Sequence, residues 1–247
     1  MPEVNADLRP RFTLLTGGSE ATQDARHDEF LLEQVTSTGP LATIWAAQQS
    51  LVVPRSYRRY ENFDEVCKRF TARGWPVSVR QTGGGIVPQG PGILNLSLAY
   101  AVNGPPMQHS EPGYELICTI LAESLQAVGI DGFPATVDGS FCDGRYNLAV
   151  LHKGQSVKIA GTAQSWRRVS GSTDTYLGLV HALVLVDVDT TNVTTVANAF
   201  EAELGSGREY SPDKVISIAA VLGQPGGLRE RYRRALVDAV YASALSD

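Results

Sequence analysis

Phe141-Cys142-Asp143-Gly144-Arg145-Tyr146-Asn147-Leu148-Ala149-Val150, followed at once by Val157-Lys158-Ile159-Ala160-Gly161-Thr162-Ala163-Gln164, is the stretch that decides how this chain is read. Leu148 to Leu151 and Val157 to Gln164 are short apolar runs that read as two paired strands. They carry a thiol and a lysine into an apolar, glycine-containing setting, a pairing that suggests acyl transfer. Lys158 stands between Val157 and Ile159, so strand alternation sends it to the opposite face from both. If that face is interior, the ammonium needs an oxygen partner, because desolvation lowers the pKa of a buried amine. An exposed strand lysine is the competing reading; the small residues Gly161-Thr162-Ala163 make room for an interior one. Cys142 lies in a Gly/Asp-containing loop, where a thiol near a cation serves as a nucleophile. Taken alone it is more often structural, and Cys67 and Cys118 read as small core hydrophobes.

Upstream, Val77-Ser78-Val79-Arg80-Gln81 alternates as a strand and runs into Thr82-Gly83-Gly84-Gly85. Three glycines permit positive φ and close approach of a ligand to backbone amides, so the loop can cradle a phosphate or carboxylate; a plain tight turn is the alternative. It has neither the Gly-Lys-Ser/Thr ending of a P-loop nor dinucleotide-binding spacing. Arg80, at the strand end beside it, can clamp an anion. Ile93 to Val102 and Leu179 to Val188 are further strands, the second carrying His181. The one cysteine-histidine dyad that can be assembled is Cys142 with His181, and it needs geometry to test. His27, His109 and His152 read as surface or core residues, and no metal-ligand spacing appears.

The remaining elements work outward from these. A frayed start over residues 1 to about 10 precedes a short strand, Arg11 to Leu15. Thr22 to Val35 reads as a helix, with Phe30, Leu31, Leu32 and Val35 apolar and Asp24, Asp28 and Glu29 early. Strands follow at Leu41 to Trp45 and Leu51 to Val53. Asn62-Phe63-Asp64-Glu65 has capping-box spacing and opens a helix through Val66 and Phe70 to Gly74. Glu115 to Val128 is a helix stopped by Gly129. From Thr190 onward three helices are predicted, over 191–204, 212–222 opening at Ser211-Pro212, and 227–244. Irregular interleaving of strands and helices predicts an α+β fold, a mixed and largely antiparallel sheet flanked by helices. With no repeat or linker, residues 1–247 read as a single catalytic domain, its core at about 11–190 with the C-terminal helices packed on it.

Composition narrows the function classes. Of the 247 residues 43% are hydrophobic and 19% charged, enough to bury a sizeable core. The formal charge of -5 argues against nucleic acid, whose binding needs a basic surface. The local run Arg229-Glu230-Arg231-Tyr232-Arg233-Arg234 reads as a solvated helix face. Three cysteines without CxxC spacing indicate neither a disulfide framework nor zinc, and a reducing cytoplasm fits best. Met1 to Pro10 lacks the apolar run of a signal peptide, and nowhere do about eighteen apolar residues follow one another, so no membrane span is expected.

These elements occur in the order, and with much of the wording, of the lipoate/biotin/octanoate protein ligase and transferase family. Arg80-Gln81-Thr82-Gly83-Gly84-Gly85-Ile86-Val87, with Asn95 in the next strand, resembles the family's Arg-x-Ser/Thr-Gly-Gly-Gly-x-Val loop and Asn-bearing strand. Asn147-Leu148-Ala149-Val150 with Val157-Lys158-Ile159-Ala160-Gly161-Thr162-Ala163-Gln164 resembles its Asp/Asn-Leu-x-Val…Lys-Ile-Ala/Ser-Gly-Ser/Thr-Ala-Gln signature. His181 with Leu183 to Val186 is similar to its His-Gly-Ser/Thr-Leu-Leu strand. The likeness spans about residues 22 to 190.

The resemblance implies an acyl or lipoyl chain in a tunnel beside the glycine loop. Lys158 would hold or polarise the acyl carbonyl, and Arg80 with Gly83 to Gly85 would shape the carbonyl end of the pocket. Thr82, Asn95, Gly161, Thr162, Ala163 and His181 are the further substrate-binding candidates. Family ligases activate a free carboxylate with ATP and magnesium as an acyl-adenylate. Transferases take a thioester from acyl carrier protein or another lipoyl domain and use a cysteine, with no added cofactor. Cys142, just before the Asn-Leu-x-Val strand, looks like the nucleophile of one transferase branch, and the chain is shorter than ligases with an accessory C-terminal domain. The implied reaction moves octanoyl or lipoyl through a Cys142 thioester to the lysine of a lipoyl carrier domain, a 2-oxoacid dehydrogenase subunit or glycine cleavage carrier. An ATP-dependent lipoate ligase is the alternative. A non-catalytic acyl or cofactor binder is the third reading, suggested by Ala182 in place of glycine and Pro88-Gln89-Gly90-Pro91-Gly92 after the glycines; Asn147 also stands where Asp or Glu is common.

Overall fold

The computed structural model describes residues 10–15, 27–223 and 226–243. Most of the expected frayed start, the first turn of the helix expected from Thr22, and the end of the last expected helix lie outside the described residues. In chain order the elements are β1 (Thr13–Leu14), α1 (His27–Thr38), β2 (Leu41–Trp45), β3 (Ser50–Pro54), α2 (Phe63–Ala72) and β4 (Val77–Arg80). Next come β5 (Val87–Gln89), β6 (Ile93–Asn103), α3 (Pro106–Gln126), β7 (Gly132–Ala135), β8 (Asn147–His152), β9 (Gln155–Arg168) and β10 (Thr175–Leu185). Three helices, α4 (Thr190–Leu204), α5 (Ile218–Leu222) and α6 (Leu228–Ala242), follow.

Seven strands form one sheet in the order β1-β2-β6-β10-β9-β8-β7, antiparallel except for β1 with β2. A second sheet, β4-β3-β5, pairs β3 parallel to β4 and antiparallel to β5. The fold is therefore α+β with a large, mostly antiparallel sheet, as the sequence predicts. Alternation divides the faces of the large sheet. Leu94, Leu96 and Leu98 of β6, Val157 and Ile159 of β9, and Val180, Ala182 and Val184 of β10 pack in one cluster with Ile117 and Leu121 of α3 and Tyr232 and Leu236 of α6. On the opposite face, Leu183 and Leu185 join a cluster with the small sheet, α2 and α4, while Leu179 packs with Leu31 and Leu32 of α1. The space between the two sheets is where the site forms.

Three local expectations change. Asn62 does not cap α2 through its side chain; its Nδ2 donates to the Glu203 carbonyl at 2.8 Å and ties α2 to α4 instead. The expected helix over 212–222 is broken: Pro212–Lys214 is a single 3-10 turn, and Val215 bridges β9 beside Lys158, with Ile216 N donating to Lys158 O at 2.8 Å. Val215 and Ile216 are buried in different clusters, which an extended backbone allows and a helical one does not. The helix α3 starts at Pro106, nine residues ahead of the expected Glu115, with proline in the first turn where its missing N–H costs nothing.

Candidate active site

The loop before β8 is built around Cys142. Phe141 is fully buried beside Tyr210, and Cys142 has φ 52, a left-handed conformation that costs a non-glycine residue about 1–3 kcal/mol. Hydrogen bonds hold it there. The Cys142 carbonyl accepts from Lys158 Nζ at 2.7 Å and Asn147 Nδ2 at 2.9 Å, and the Phe141 carbonyl accepts from Lys158 Nζ at 2.6 Å. Lys158 is 1% exposed, on the face opposite Val157 and Ile159. Burial pushes its pKa down to about 8; Cys142 and Asp143 nearby pull it back up, and Arg80 lowers it further.

The glycine loop meets the same point. A Cβ on Gly84, whose φ is +101, would come within 2.6 Å of Cys142 Sγ and 3.1 Å of Arg80 Nη2, so the sulfur lies directly against the loop. Arg80 is not a free anion clamp. Its guanidinium is buried and donates to the carbonyls of Val52 at 3.1 Å, Gly83 at 2.8 Å and Gly85 at 2.7 Å, stapling the loop to β3. Burial lowers its pKa, yet a guanidinium keeps its proton. Behind the loop, Ile86 N donates to Tyr57 Oη, and Tyr57 and Tyr210 both donate to the buried Glu201 Oε1. Burial and the Glu201 contact push the Tyr57 pKa up to about 12.

A cavity of about 530 Å³ opens from Cys142 between the two sheets. Of the residues singled out from sequence, Arg80, Thr82, Asn95 and Cys142 line it, as do Gly161, Thr162, Ala163 and His181 from β9 and β10. Leu32, Trp45, Val52, Val87, Leu179 and Leu183 give it an apolar character. Gly83, Gly84 and Gly85 belong to a second cavity of about 660 Å³, which Tyr114, Tyr210 and Cys142 also border. Cys142 thus stands between two openings, with Lys158 behind its loop. Thr82 Oγ1 and Asn147 Oδ1 are buried with no hydrogen-bond partner among the described residues. A Cβ on Gly161 would sit 3.2 Å from Lys158 Nζ and 3.6 Å from Asn147 Oδ1, so glycine keeps a space open between those two groups.

Two expected contacts take a different form. Asn95 exchanges amide hydrogen bonds with Gln89, at 2.8 and 3.0 Å, so much of its capacity is spent within the wall. His181 Nδ1 pairs with Asp28 Oδ2 at 2.9 Å rather than with Cys142, while Asp28 Oδ1 accepts from Ser97 Oγ at 2.6 Å. Asp28, Ser97, Gln89 and Glu201 are contributors that the sequence reading missed as site residues. Apart from Gln89 and Asn95, their partners lie many residues away in the chain; a polar residue inside an apolar strand was the available signal for Ser97, and a carboxylate among apolar helix residues for Asp28 and Glu201.

Solved structures share this architecture. A lipoate-protein ligase A bound with ATP superposes with a TM-score of 0.66 at 17% identity, covering 96% of this chain and 85% of that one. Protein Ta0514 of T. acidophilum with bound lipoic acid gives 0.66 at 17% identity, covering 96% and 87%. At such identities the likeness concerns the fold. The model of the lipoyl protein ligase A/B catalytic domain matches residues 20–239, and the chain belongs to that family. An uncharacterized protein of Cupriavidus necator, H16_B0148, is 44% identical over 209 residues, 82% of this chain and 83% of its own length. An octanoyl-[GcvH]:protein N-octanoyltransferase of Kyrpidia tusciae is 39% identical over 134 residues, 51% of this chain but only 43% of the relative.

Proposed function

We propose that this chain is an acyltransferase that moves an octanoyl or lipoyl group, through a thioester on Cys142, to the lysine of a lipoyl carrier domain. The observation that carries the reading is the convergence on Cys142: its sulfur lies against Gly84, its carbonyl on the Lys158 ammonium, and the acyl-sized slot opens beside it. With a pKa near 8, Lys158 exchanges a proton near neutral pH. Its neutral form keeps two N–H bonds for the Phe141 and Cys142 carbonyls and leaves a lone pair for the Cys142 proton. The thiolate attacks the donor thioester, the S–C bond to Cys142 forms, and the carrier thiolate leaves and takes that proton. The acceptor amine then attacks the Cys142 thioester; the C–N bond forms, the C–S bond breaks, and the amine's proton returns to sulfur. Thr82 Oγ1, buried and without a partner among the described residues, donates to the acyl carbonyl oxygen as charge develops on it. Arg80 acts on this chemistry by holding the glycine loop.

No nucleotide is needed, since thioester to thiol is near balance and thiol ester to amide is downhill. Intact-protein mass spectrometry after incubation with octanoyl carrier protein should give an octanoyl adduct that Cys142→Ala abolishes. A donor shown to be competent that leaves no adduct would reject the covalent route. Lipoate- and ATP-dependent pyrophosphate release that survives Cys142→Ala would instead identify an adenylate-forming ligase, and turnover of no carrier acceptor a binding homologue.

A further inference from the structure

Cys142 and the glycines come from different parts of the chain, so acyl transfer needs a fixed spacing between two loops, one joining β4 to β5 and one preceding β8. One buried carboxylate reaches both. Glu201 of α4 is 0% exposed, and its Oε1 accepts from Tyr57 Oη and, at 2.8 Å, from Tyr210 Oη. Tyr57 serves the glycine side, where its hydroxyl accepts from Ile86 N at 3.3 Å. Tyr210 stands between the loops. A Cβ on Gly85 would lie 3.4 Å from Tyr210 Oη and 3.5 Å from Cys142 N, and the Tyr210 ring meets Phe141 edge to face. The following residue, Ser211, donates its N–H to the Gly139 carbonyl at 2.8 Å.

Helix α4 grips Tyr210 twice. Asn198, one turn before Glu201, donates from Nδ2 to the Tyr210 carbonyl and accepts the Tyr210 N–H on Oδ1, each at 2.8 Å, while Glu201 takes the hydroxyl. Arg208 completes the unit by donating from Nη1 to Tyr57 Oη at 2.7 Å, which leaves that hydroxyl with its donor and both acceptor sites engaged. Replacing a buried carboxylate and its partners with apolar groups of the same volume is often neutral or stabilising, so stability alone does not account for Glu201. Its contribution is geometric: one acceptor atom fixes the distance between two phenols, and each phenol braces a loop. We propose that Glu201 is a positioning residue for acyl transfer, setting the gap between the glycine loop and Cys142 from α4 through Tyr57 and Tyr210. This role rests on reading Cys142 as the acylated thiol, and it extends the machinery to a helix outside the sheet.

Glu201→Leu, Glu201→Gln and the triple variant Tyr57→Phe/Glu201→Leu/Tyr210→Phe are compared with wild type in the full chain, with Cys142 acylation by the octanoyl thioester of N-acetylcysteamine followed by mass spectrometry. In Glu201→Leu the maximal rate should fall about a hundredfold at an unchanged half-saturating concentration, the loss expected of an ångström-scale misplacement. Glu201→Gln keeps an acceptor oxygen for both phenols and should stay within about fivefold of wild type. The triple variant removes the phenols left unpaired, so its urea midpoint should return toward wild type while acylation stays slow. Alkylation of Cys142 by iodoacetamide, resolved by peptide mass from Cys67 and Cys118, needs no acyl substrate. It should rise about fivefold in both Leu variants as the sulfur loses its packing against Gly84, with Cys67 and Cys118 unchanged, whereas general loosening would speed all three. A wild type that forms no octanoyl adduct rejects the thioester reading, and the alkylation pattern then decides the positioning role by itself. Acylation that recovers together with stability in the triple variant, or Cys142 alkylation equal to wild type in both Leu variants, overturns that role.

Discussion

A lysine ammonium with 1% exposure is the most costly group in the site, and pH reveals that cost. Because its folded pKa lies near 8 and its ordinary value is 10.5, the unfolded chain binds the extra proton between those values. Stability contributed by this group therefore rises as pH climbs from about 8 to 10.5, by about 3 kcal/mol in full at roughly 1.4 kcal/mol per unit. Buried Tyr57 and Tyr232, with raised values, work in the opposite sense. The measurement is consequently a difference: the urea unfolding free energy of wild type minus that of Lys158→Met should increase across that window, and a flat difference contradicts the buried amine. The same group sets the expected rate of Cys142 acylation, rising through about pH 8 in wild type and depressed about a hundredfold or more in Lys158→Arg, which cannot release its proton. Neighbouring glycines supply a sharper contrast. Gly84→Ala adds a methyl 2.6 Å from the sulfur at a φ of +101, whereas at Gly83 nothing lies within 4 Å. Acylation should fall about a hundredfold in the first, as for an ångström-scale misplacement of a nucleophile, and stay near wild type in the second.

At the scale of elements, the loop between β4 and β5 is held from both sides, by Arg80 from β4 and by Tyr57 on Ile86 N. Arg80→Met strips the donor from three backbone carbonyls. Loss of about 3 kcal/mol or more in urea unfolding is expected, together with impaired Cys142 acylation; an unchanged midpoint would mean the staple is redundant. Which elements were legible in the sequence follows from the range of their determinants. The pair β8–β9 and the inward turn of Lys158 were readable because alternation is a local signal, and so was β10 as a strand. The strands β5 and β7 were not, being three and four residues long and each containing a proline, Pro88 and Pro134, that local reading treats as a breaker. Ser211-Pro212 gave a true start signal, but pairing of Val215 with β9 overrode its continuation. That Arg80 neighbours the glycine loop was readable, yet the direction of the guanidinium, toward its own loop, depends on where β3 runs. The Asp28–His181 pair joins residues 153 apart, beyond any sequence window.

For the whole molecule, the question is whether residues up to about 190 hold the site unaided. The seven-stranded sheet is covered on one face by α3 and α6, and the small sheet is closed by α2 and α4. Phe200, Leu204, Ile218, Tyr232, Leu236 and Val240 from the last three helices are all buried, at about 2 kcal/mol each. Their combined burial is comparable to the entire net stability of a domain, about 5–15 kcal/mol. Local contacts reinforce the point: Ile216 N binds the Lys158 carbonyl, Tyr210 packs on Phe141, and Glu201 anchors the tyrosine behind the glycine loop. A chain ending at Asp189 should therefore show no cooperative thermal transition by circular dichroism and form no Cys142 adduct. A chain ending at Ser243 should melt and acylate like the full protein. Cooperative melting of the shorter chain would separate the sheet from its helices as independent units and leave the C-terminal quarter a covering rather than part of one cooperative body.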